Sequence, residues 1–291
     1  RGPLATNAGM DMALQGYSGL APLTTNGPIP LVDPVIDYSA AMLMAWGIAT
    51  ALFHRERKGE GQKLDVSLLQ AALVLQNNNI NSVAAFDEHR VEFANYLKDA
   101  FTQGATWEDV LSRQSQSKLL GATAAYYGFF RTADQVLCLG AGGSVVQKRL
   151  LKVLGLTDPL LETEGFQPDD LRLHVNEQRI RVEQRLMEQS LEHWMPLLLA
   201  ADVPASRVNL KAQLLENEQV LANHYLSQMS HPVVGDVTVV SPPVQFSKTT
   251  LEIRTPSPTL GQHTVEVLRE AGIPDGTIES LASEGKIKKP A

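Results

Sequence analysis

One acid, Asp37, stands at the mouth of a long uncharged run in VDPVIDYSAAMLMAWGIATALFHRERKGEGQ, residues 32 to 62. Asp is among the best N-cap residues, so a helix cap is the plain reading of this position. The same setting also suits chemistry. Free backbone N–H groups and the positive end of a helix dipole stabilise an ionised carboxylate. A carboxylate held there, beside a Gly/Pro-rich loop, can attack an activated acyl group and form a covalent intermediate. The helix N–H groups could then hold a developing oxyanion. An uncharged helix behind them would keep water from a hydrolysable anhydride. The residue types alone leave cap and nucleophile both open.

Other reactive residue types carry weaker signals. Cys138 lies in the apolar run QVLCLG, where a buried thiol is the default. His263 in GQHT is an acid/base candidate by type, but with no acidic partner adjoining it a surface or cap role is expected. Asp11 is expected to hold a loop or to cap a short helix. The glycines of GAGG, 140–143, follow a strand pattern and precede a helix pattern. They lack the Lys-Ser/Thr of a phosphate loop, so a tight strand-to-helix turn is expected. RIRVEQRLMEQ reads as a solvated helix face, and KIKK, 286–289, as a solvated tail. No His/Cys/Asp spacing suggests a metal site.

Several elements must position these residues. The breakers Gly2, Pro3, Gly9, Gly16, Gly19, Pro22, Gly27, Pro28, Pro30 and Pro34 make 1–35 mostly loop, with one short helix in MDMALQGYSGL. A helix over 37–57 follows, closing on cations with Gly59 and Gly61 beyond. QKLDVSL is predicted as a strand and SLLQAALVLQNNNINSVAAF as a second helix. The polar stretch 87–130 is read as a linker. TADQVLCLG alternates as a strand, and SVVQKRLLKVLGL is an amphipathic helix ending at Gly155. DDLRLHVNEQRIRVEQRLMEQSLEHWMPLLLAADVPA gives two helices broken near Pro196, and HPVVGDVTVVSPPVQFS a hairpin. GQHTVEVLREAGI and DGTIESLASEGKI supply the last helices. Helices dominate a mixed α/β or α+β pattern.

The bulk properties narrow the class. The chain has 291 residues, 44% apolar and 20% charged, enough for a sizeable core and for two domains or one domain with a large excursion. A net charge of −7 argues against a nucleic-acid binder. A single cysteine fits a reducing, cytoplasmic compartment. No secretory leader or membrane partner is expected. The charge-free run Tyr38 to Phe53 is shorter than the ~20 residues of a spanning helix, and it reads as a helix buried in a globular core. The opening RGPLATNAG has no initiator Met and no capping element, so further sequence upstream is expected.

Four segments in order, GPLATNAGMDMALQGYSGL, IDYSAAMLMAWGIATALFHRERKGEGQKLDVSLLQAAL, HPVVGDVTVVSPPVQFS and PTLGQHTVEVLREAGI, resemble the class III CoA-transferases, the CaiB/BaiF family. HRERKGEGQKLDVSLLQA is the most specific part, and VPASRVN and FFRTADQVLCLGAGG also fit. The resemblance implies that Asp37 is the catalytic nucleophile, attacking an acyl-CoA thioester. A mixed anhydride and CoA thiolate would form, then an aspartyl-CoA thioester, and an acceptor carboxylate would take over the CoA. Retaining the thiolate makes each return step effectively intramolecular. Coenzyme A enters as a thioester substrate, and no permanently bound cofactor is implied. The partners implied are an acyl-CoA, a small carboxylic acid and a second copy of the chain in an interlocked homodimer.

The implied fold is α/β: the later part of a Rossmann-like large domain with a smaller α/β domain. The boundaries expected are 1–86 for the large-domain part, 87–215 for linker and small domain, and 216–291 for a return to the large domain. Family members carry a βαβ portion before GPL that supplies much of the CoA nucleotide site, so this chain alone is expected to bind CoA poorly. An apolar helix built for the interlocked interface would then be left exposed. The resemblance extends to 2-methylacyl-CoA racemases, which place a His before the Asp of a Gly-His-Asp segment. This chain has Gly9-Met10-Asp11, and Met cannot shuttle a proton, which favours transfer. Only Gly121 and Gly128 mark the region of the glycine-rich flap that some transferases carry. A non-catalytic fragment or partner subunit is the third reading.

Overall fold

The computed structural model describes residues 2–83, 87–117 and 122–288, and the chain forms two compact units, 1–121 and 122–291. In the first unit α1 (Asp11–Ser18) is followed by the two-residue antiparallel strands β1 (Leu23–Thr24) and β2 (Gly27–Pro28). Then come α2 (Val35–Lys58), α3 (Leu68–Leu75), the single turn α4 (Asn77–Ile80), α5 (Glu88–Asp99) and α6 (Trp107–Ser117). The stretch from 87, read as linker, therefore opens with two helices. Trp107 of α6 stacks beside Phe101, ring centroids 4.7 Å apart, and covers Gly27, whose φ of 110° only glycine adopts readily.

The core of this unit forms where three helices meet. Ile36 of α2 and Ala71 and Ala72 of α3 are fully buried, with Leu14, Leu20, Val35, Ala40, Leu43 and Leu68 packed around them. Burying Ile36 alone is worth about 1.5–3 kcal/mol. α2 ends as its sequence demands: Gly59 takes the left-handed C-cap, φ 74°, after Arg55, Arg57 and Lys58 in the last turn.

α2 departs from the expected core burial. Of its 24 residues only Ile36 and Ser39 are buried. Trp46 is 71% exposed, Met42 67% and Phe53 62%. The reason is geometric. A helix apolar on all sides needs neighbours on all sides, and within this unit α1 and α3 supply only one. The charge-free run thus sits in a helix long and apolar enough, by length and composition, to cross a bilayer, a property it shares with core helices of water-soluble proteins.

The strand predicted over 62–68 does not form: residues 62–67 pair with no strand among the described residues, and Leu68 already opens α3. Leu64 instead docks on α2. A Cβ at Gly47 would lie 2.4 Å from Leu64 Cδ2, so the missing side chain at Gly47 makes the notch that receives it.

In the second unit the short 3-10 turn Ala122–Ala125 leads into β3 (Tyr127–Arg131), β4 (Val136–Gly140), α7 (Ser144–Leu154) and the turn α8 (Pro159–Glu162). α9 (Leu171–Leu186), α10 (Leu191–Ala200) and β5 (Ala205–Arg207) follow. The sheet has the order β3-β4-β5, all antiparallel. Leu137 and Leu139 of β4 are buried, as are Leu150, Leu151 and Leu154 of α7, Val182 and Leu186 of α9, and Leu191, Trp194 and Leu198 of α10. Alternation on the strand and helical spacing on α7 thus meet in one core. α7 ends at Gly155, φ 66°, as predicted.

The break predicted near Pro196 falls earlier, at 187–190. Ser190 accepts from the His193 N–H and starts α10, and Pro196 lies inside that helix. A cap residue overrides the proline as the punctuation mark. The 3-10 turn Lys211–Glu216 and α11 (Glu218–Ala222) precede the hairpin of β6 (Leu226–His231) and β7 (Gly235–Val240). α12 (Thr264–Glu270) and α13 (Asp275–Ser283) end the chain.

Candidate active site

Asp37 is the third residue of α2, not its cap. Pro34 holds the N-cap position and has no side-chain acceptor. The cap comes from 26 residues upstream. Asp11 Oδ2 accepts the N–H of Ile36 at 2.8 Å and that of Asp37 at 3.0 Å. The Val35 N–H goes to Asp33 O at 2.8 Å and the Tyr38 N–H to Pro34 O at 3.1 Å. Every amide of the first turn is therefore spoken for. The expectation that these N–H groups are free to hold Asp37, and later an oxyanion, does not survive the geometry.

Asp11 is buried, at the first position of α1, and its surroundings keep it charged. Burial pushes its carboxyl up, but the Gln15 amide and the Asp37 and Ile36 N–H groups together outweigh that and hold it below the ordinary carboxylate range. Gln15, buried one turn along, donates Nε2–H to Asp11 Oδ1. The same Gln15 amide pairs with the Leu31 backbone: Oε1 accepts the Leu31 N–H at 2.8 Å and Nε2 donates to Leu31 O at 3.2 Å. Thus α1, the Pro-rich loop and the start of α2 are tied at one point.

Asp37 itself is exposed, and among the described residues its carboxylate makes no hydrogen bond or ion pair. The arrangement leaves both Asp37 carboxylate oxygens open, while the first-turn amides are bonded elsewhere.

The remaining sequence candidates are dispersed. Met10 is exposed at the N-cap of α1, adjacent in the chain to Asp11. Cys138 is half-buried in β4, paired across the sheet with Phe129 and Ser206. GAGG is the strand-to-helix turn expected: the Gly140 N–H donates to Pro204 O at 2.8 Å and Gly143 caps α7. His263 has an acidic partner after all: Glu266, one turn on, places Oε2 3.0 Å from Nδ1. Both are exposed, consistent with a helix-start pair. Gly128 takes φ 132° beside Arg179, while Gly121 lies outside the described residues. Lys286 of the terminal basic cluster pairs with Glu284 at 2.7 Å.

Sequence reasoning missed a buried polar cluster in the second unit. Asp158, fully buried, accepts from the Tyr126 hydroxyl and from the Leu160 N–H at 2.9 Å, and its Oδ1 lies 2.8 Å from His174 Nε2. Separations of 32 and 16 residues leave no local signal for it. The Asp-Pro that opens α8 was the one legible hint. A cleft of about 580 Å³ beside the β6–β7 hairpin was also unforeseen; it is lined by His224, Gln228, Ser241, Phe246 and Glu252 among others.

Residues 1–264 match the sequence profile of CoA-transferase family III. This chain belongs to that family. A family III relative, the human succinyl-CoA:glutarate CoA-transferase, is 26% identical over 98% of this chain and 61% of its own length. The cinnamoyl-CoA:phenyllactate CoA-transferase of Clostridium sporogenes is 27% identical, over 94% of this chain and 61% of its own length. A crystal structure of a CaiB/BaiF family protein from Brucella suis superposes with a TM-score of 0.60 at 21% identity, covering 93% of this chain and 65% of that one. The chain thus spans about three fifths of the length of these curated relatives.

Proposed function

We propose that the protein carrying this chain transfers coenzyme A from an acyl-CoA thioester to a free carboxylic acid, with Asp37 as covalent nucleophile. The observation that carries the reading is the exposed, donor-free Asp37 carboxylate on a helix start capped by another acid, in a chain of family III. The names of the relatives support the reaction class, since both are transferases between two carboxylate partners.

Each step balances. An Asp37 oxygen attacks the thioester carbonyl carbon, and the C–S bond breaks with its electron pair leaving on the CoA thiolate. The product is a mixed anhydride. The thiolate then attacks the Asp37 acyl carbon and releases the donor carboxylate, leaving an aspartyl-CoA thioester. The acceptor carboxylate attacks that thioester, expels the thiolate and forms a second anhydride. Thiolate attack on the acceptor acyl carbon returns Asp37 as a free carboxylate. No proton, oxidant or metal is required. Water must be kept from the anhydrides, and holding the thiolate beside them makes each return step effectively intramolecular.

The racemase alternative needs a second base beside Asp37. Position 10, next to the residue that caps the Asp37 helix, is Met and has no proton to give. The working form is read as a homodimer, supported by the exposed apolar sides of α2.

The test is the full-length protein with Asp37→Ala, assayed for exchange of labelled CoA between acyl-CoA and acid, with mass analysis of peptides trapped in turnover. Exchange should vanish, and the parent should carry its adduct on Asp37. Exchange at the parental rate, or an adduct on another side chain, rejects the reading.

A further inference from the structure

A carboxylate in the first turn of a helix is ordinarily a poor nucleophile. Amide N–H groups and the helix dipole attract its charge, and that attraction must be surrendered as the electron pair moves into a new C–O bond. The more firmly such a carboxylate is capped, the more its attack costs. At this helix the capping has been handed to a different acid. Asp11 Oδ2 takes the N–H of Ile36 and the N–H of Asp37 itself, while Asp37 keeps an exposed carboxylate with no donor among the described residues.

We infer that Asp11 is the positioning residue of the reaction: it occupies the helix amides so that Asp37 does not, and it fixes the backbone from which Asp37 projects. The inference rests on the reading of Asp37 as nucleophile. Two features of the geometry carry it. The bond from the Asp37 N–H anchors the main chain of the reacting residue directly. Second, Asp11 is itself immobile: it is buried, and Gln15, which donates to its other oxygen, is locked to both polar groups of the Leu31 backbone. The chain of contacts Leu31–Gln15–Asp11–Asp37 therefore transmits the loop position to the backbone of the nucleophile.

The site calls for a carboxylate and not its amide. Asp11 accepts on both oxygens, two backbone N–H groups on one and the Gln15 amide on the other. Asparagine presents one acceptor and one donor. With its oxygen toward α2, its NH2 meets the NH2 of Gln15; turned over, its NH2 meets two backbone N–H groups. Gln15 cannot rotate to relieve this, because its orientation is set by Leu31. With the cap broken, the N–H groups of Ile36 and Asp37 lose their acceptor, and the Asp37 carboxylate in the same turn is drawn toward them and toward the uncompensated helix pole.

The experiment uses full-length protein with Asp11→Asn, and measures kcat, KM for acyl-CoA, and the single-turnover rate of adduct formation at Asp37. Rates are normalised to the fraction of chains that form the adduct, which removes any contribution from unfolded protein. The expected result is a fall in kcat and in adduct formation of about 10- to 100-fold, the scale of a misplaced reacting group, with KM little changed. Gln15→Leu, which loosens Asp11 but keeps its charge, should give a smaller fall in the same direction, and it serves where Asp11→Asn does not fold. Parental kcat per adduct-forming site in these variants, with Asp37→Ala inactive, overturns the role of Asp11 alone. Activity in Asp37→Ala overturns the nucleophile reading and this inference with it.

Discussion

The N–H of Asp37 donates to Oδ2 of Asp11 at 3.0 Å, and the same oxygen accepts the N–H of Ile36 at 2.8 Å. Two acids 26 residues apart thus divide the properties that one acid at a helix start would combine. Asp11 is buried and saturated with donors, and compensates the helix pole. Asp37 is exposed, and its carboxylate meets no donor among the described residues. The second unit uses the same device for packing: Asp134, in the turn between β3 and β4, accepts the Leu191 N–H at 2.9 Å at the start of α10.

Gln15 is the first place to test the coupling between loop and helix. Gln15→Leu keeps the volume roughly and removes the donor to Asp11 together with both bonds to Leu31. Buried polar groups left without partners cost about 1–3 kcal/mol. A lower urea midpoint with an unchanged slope is the expected measurement, the slope reporting that the unfolding surface is the same. A midpoint equal to the parent's would show that the Leu31 contact contributes nothing to stability.

Acid should act on the same point. The folded-state Asp11 carboxyl lies below its ordinary value, because the donors outweigh the burial that pushes it up. A group lowered on folding contributes stability above its unfolded value, near pH 3.9, and loses it as pH falls through the folded value. Asp134 is lowered too, chiefly by the Leu191 N–H. Stability should therefore decline below about pH 4, and Asp11→Asn should flatten that decline. Urea unfolding measured from neutral pH downward, parent against variant, checks the slope; identical slopes would assign the acid limb to other groups.

Much of this architecture was legible locally. α1 and α7 follow from periodicity and from the glycines that end them, Gly19 and Gly155. A hairpin was legible but misplaced: its turn is 232–234, not Gly-Asp, since Gly235 and Asp236 already pair within β7, and the first strand, Leu226–His231, lies upstream of all but the first residue of the segment read. What escaped depends on separation in sequence. Asp37 looked like a cap because Asp at a helix start usually is one, and nothing near Pro34 announces that Asp11 will arrive from another helix. The strand expected at 62–68 had the right residue types, but Leu64 found a notch at Gly47 in place of a partner edge. His263 and Glu266 show the opposite error: their spacing of three was visible, but only adjacent residues were weighed as partners.

Alkali should reveal the buried cluster of the second unit. Burial, and then the hydrogen bond to and charge of Asp158, push the Tyr126 phenol well above its ordinary value. A group raised on folding contributes fully below its unfolded value, about 10 for a phenol, and loses that contribution as pH rises through the folded one. Tyr126 should stay protonated in the native protein while exposed tyrosines ionise, read as one missing phenolate in the ultraviolet titration. Tyr126→Phe should lower stability at neutral pH by about 1 kcal/mol and reduce its fall above pH ~10. Asp158→Ala, which strands Tyr126, Leu160 and His174 together, should cost more.

The exposed sides of α2 supply the last prediction. Trp46, Met42 and Phe53 together make a surface that water-exposed helices rarely carry, and Arg57 lies over the Phe53 ring at 5.0 Å without covering it. If this surface joins two copies, as proposed, full-length protein should elute with the mass of a dimer by light scattering. Trp46→Glu should then halve that mass at low concentration, because a charge placed in an apolar interface must be desolvated without a partner. The carboxylate proposed as nucleophile, Asp37, lies on the same helix, so on that proposal loss of the dimer should also lower CoA exchange. An unchanged dimer mass with a lowered melting temperature would instead place the cover of α2 within a single polypeptide. Unchanged mass and unchanged stability would mean that Trp46 faces solvent in the working protein.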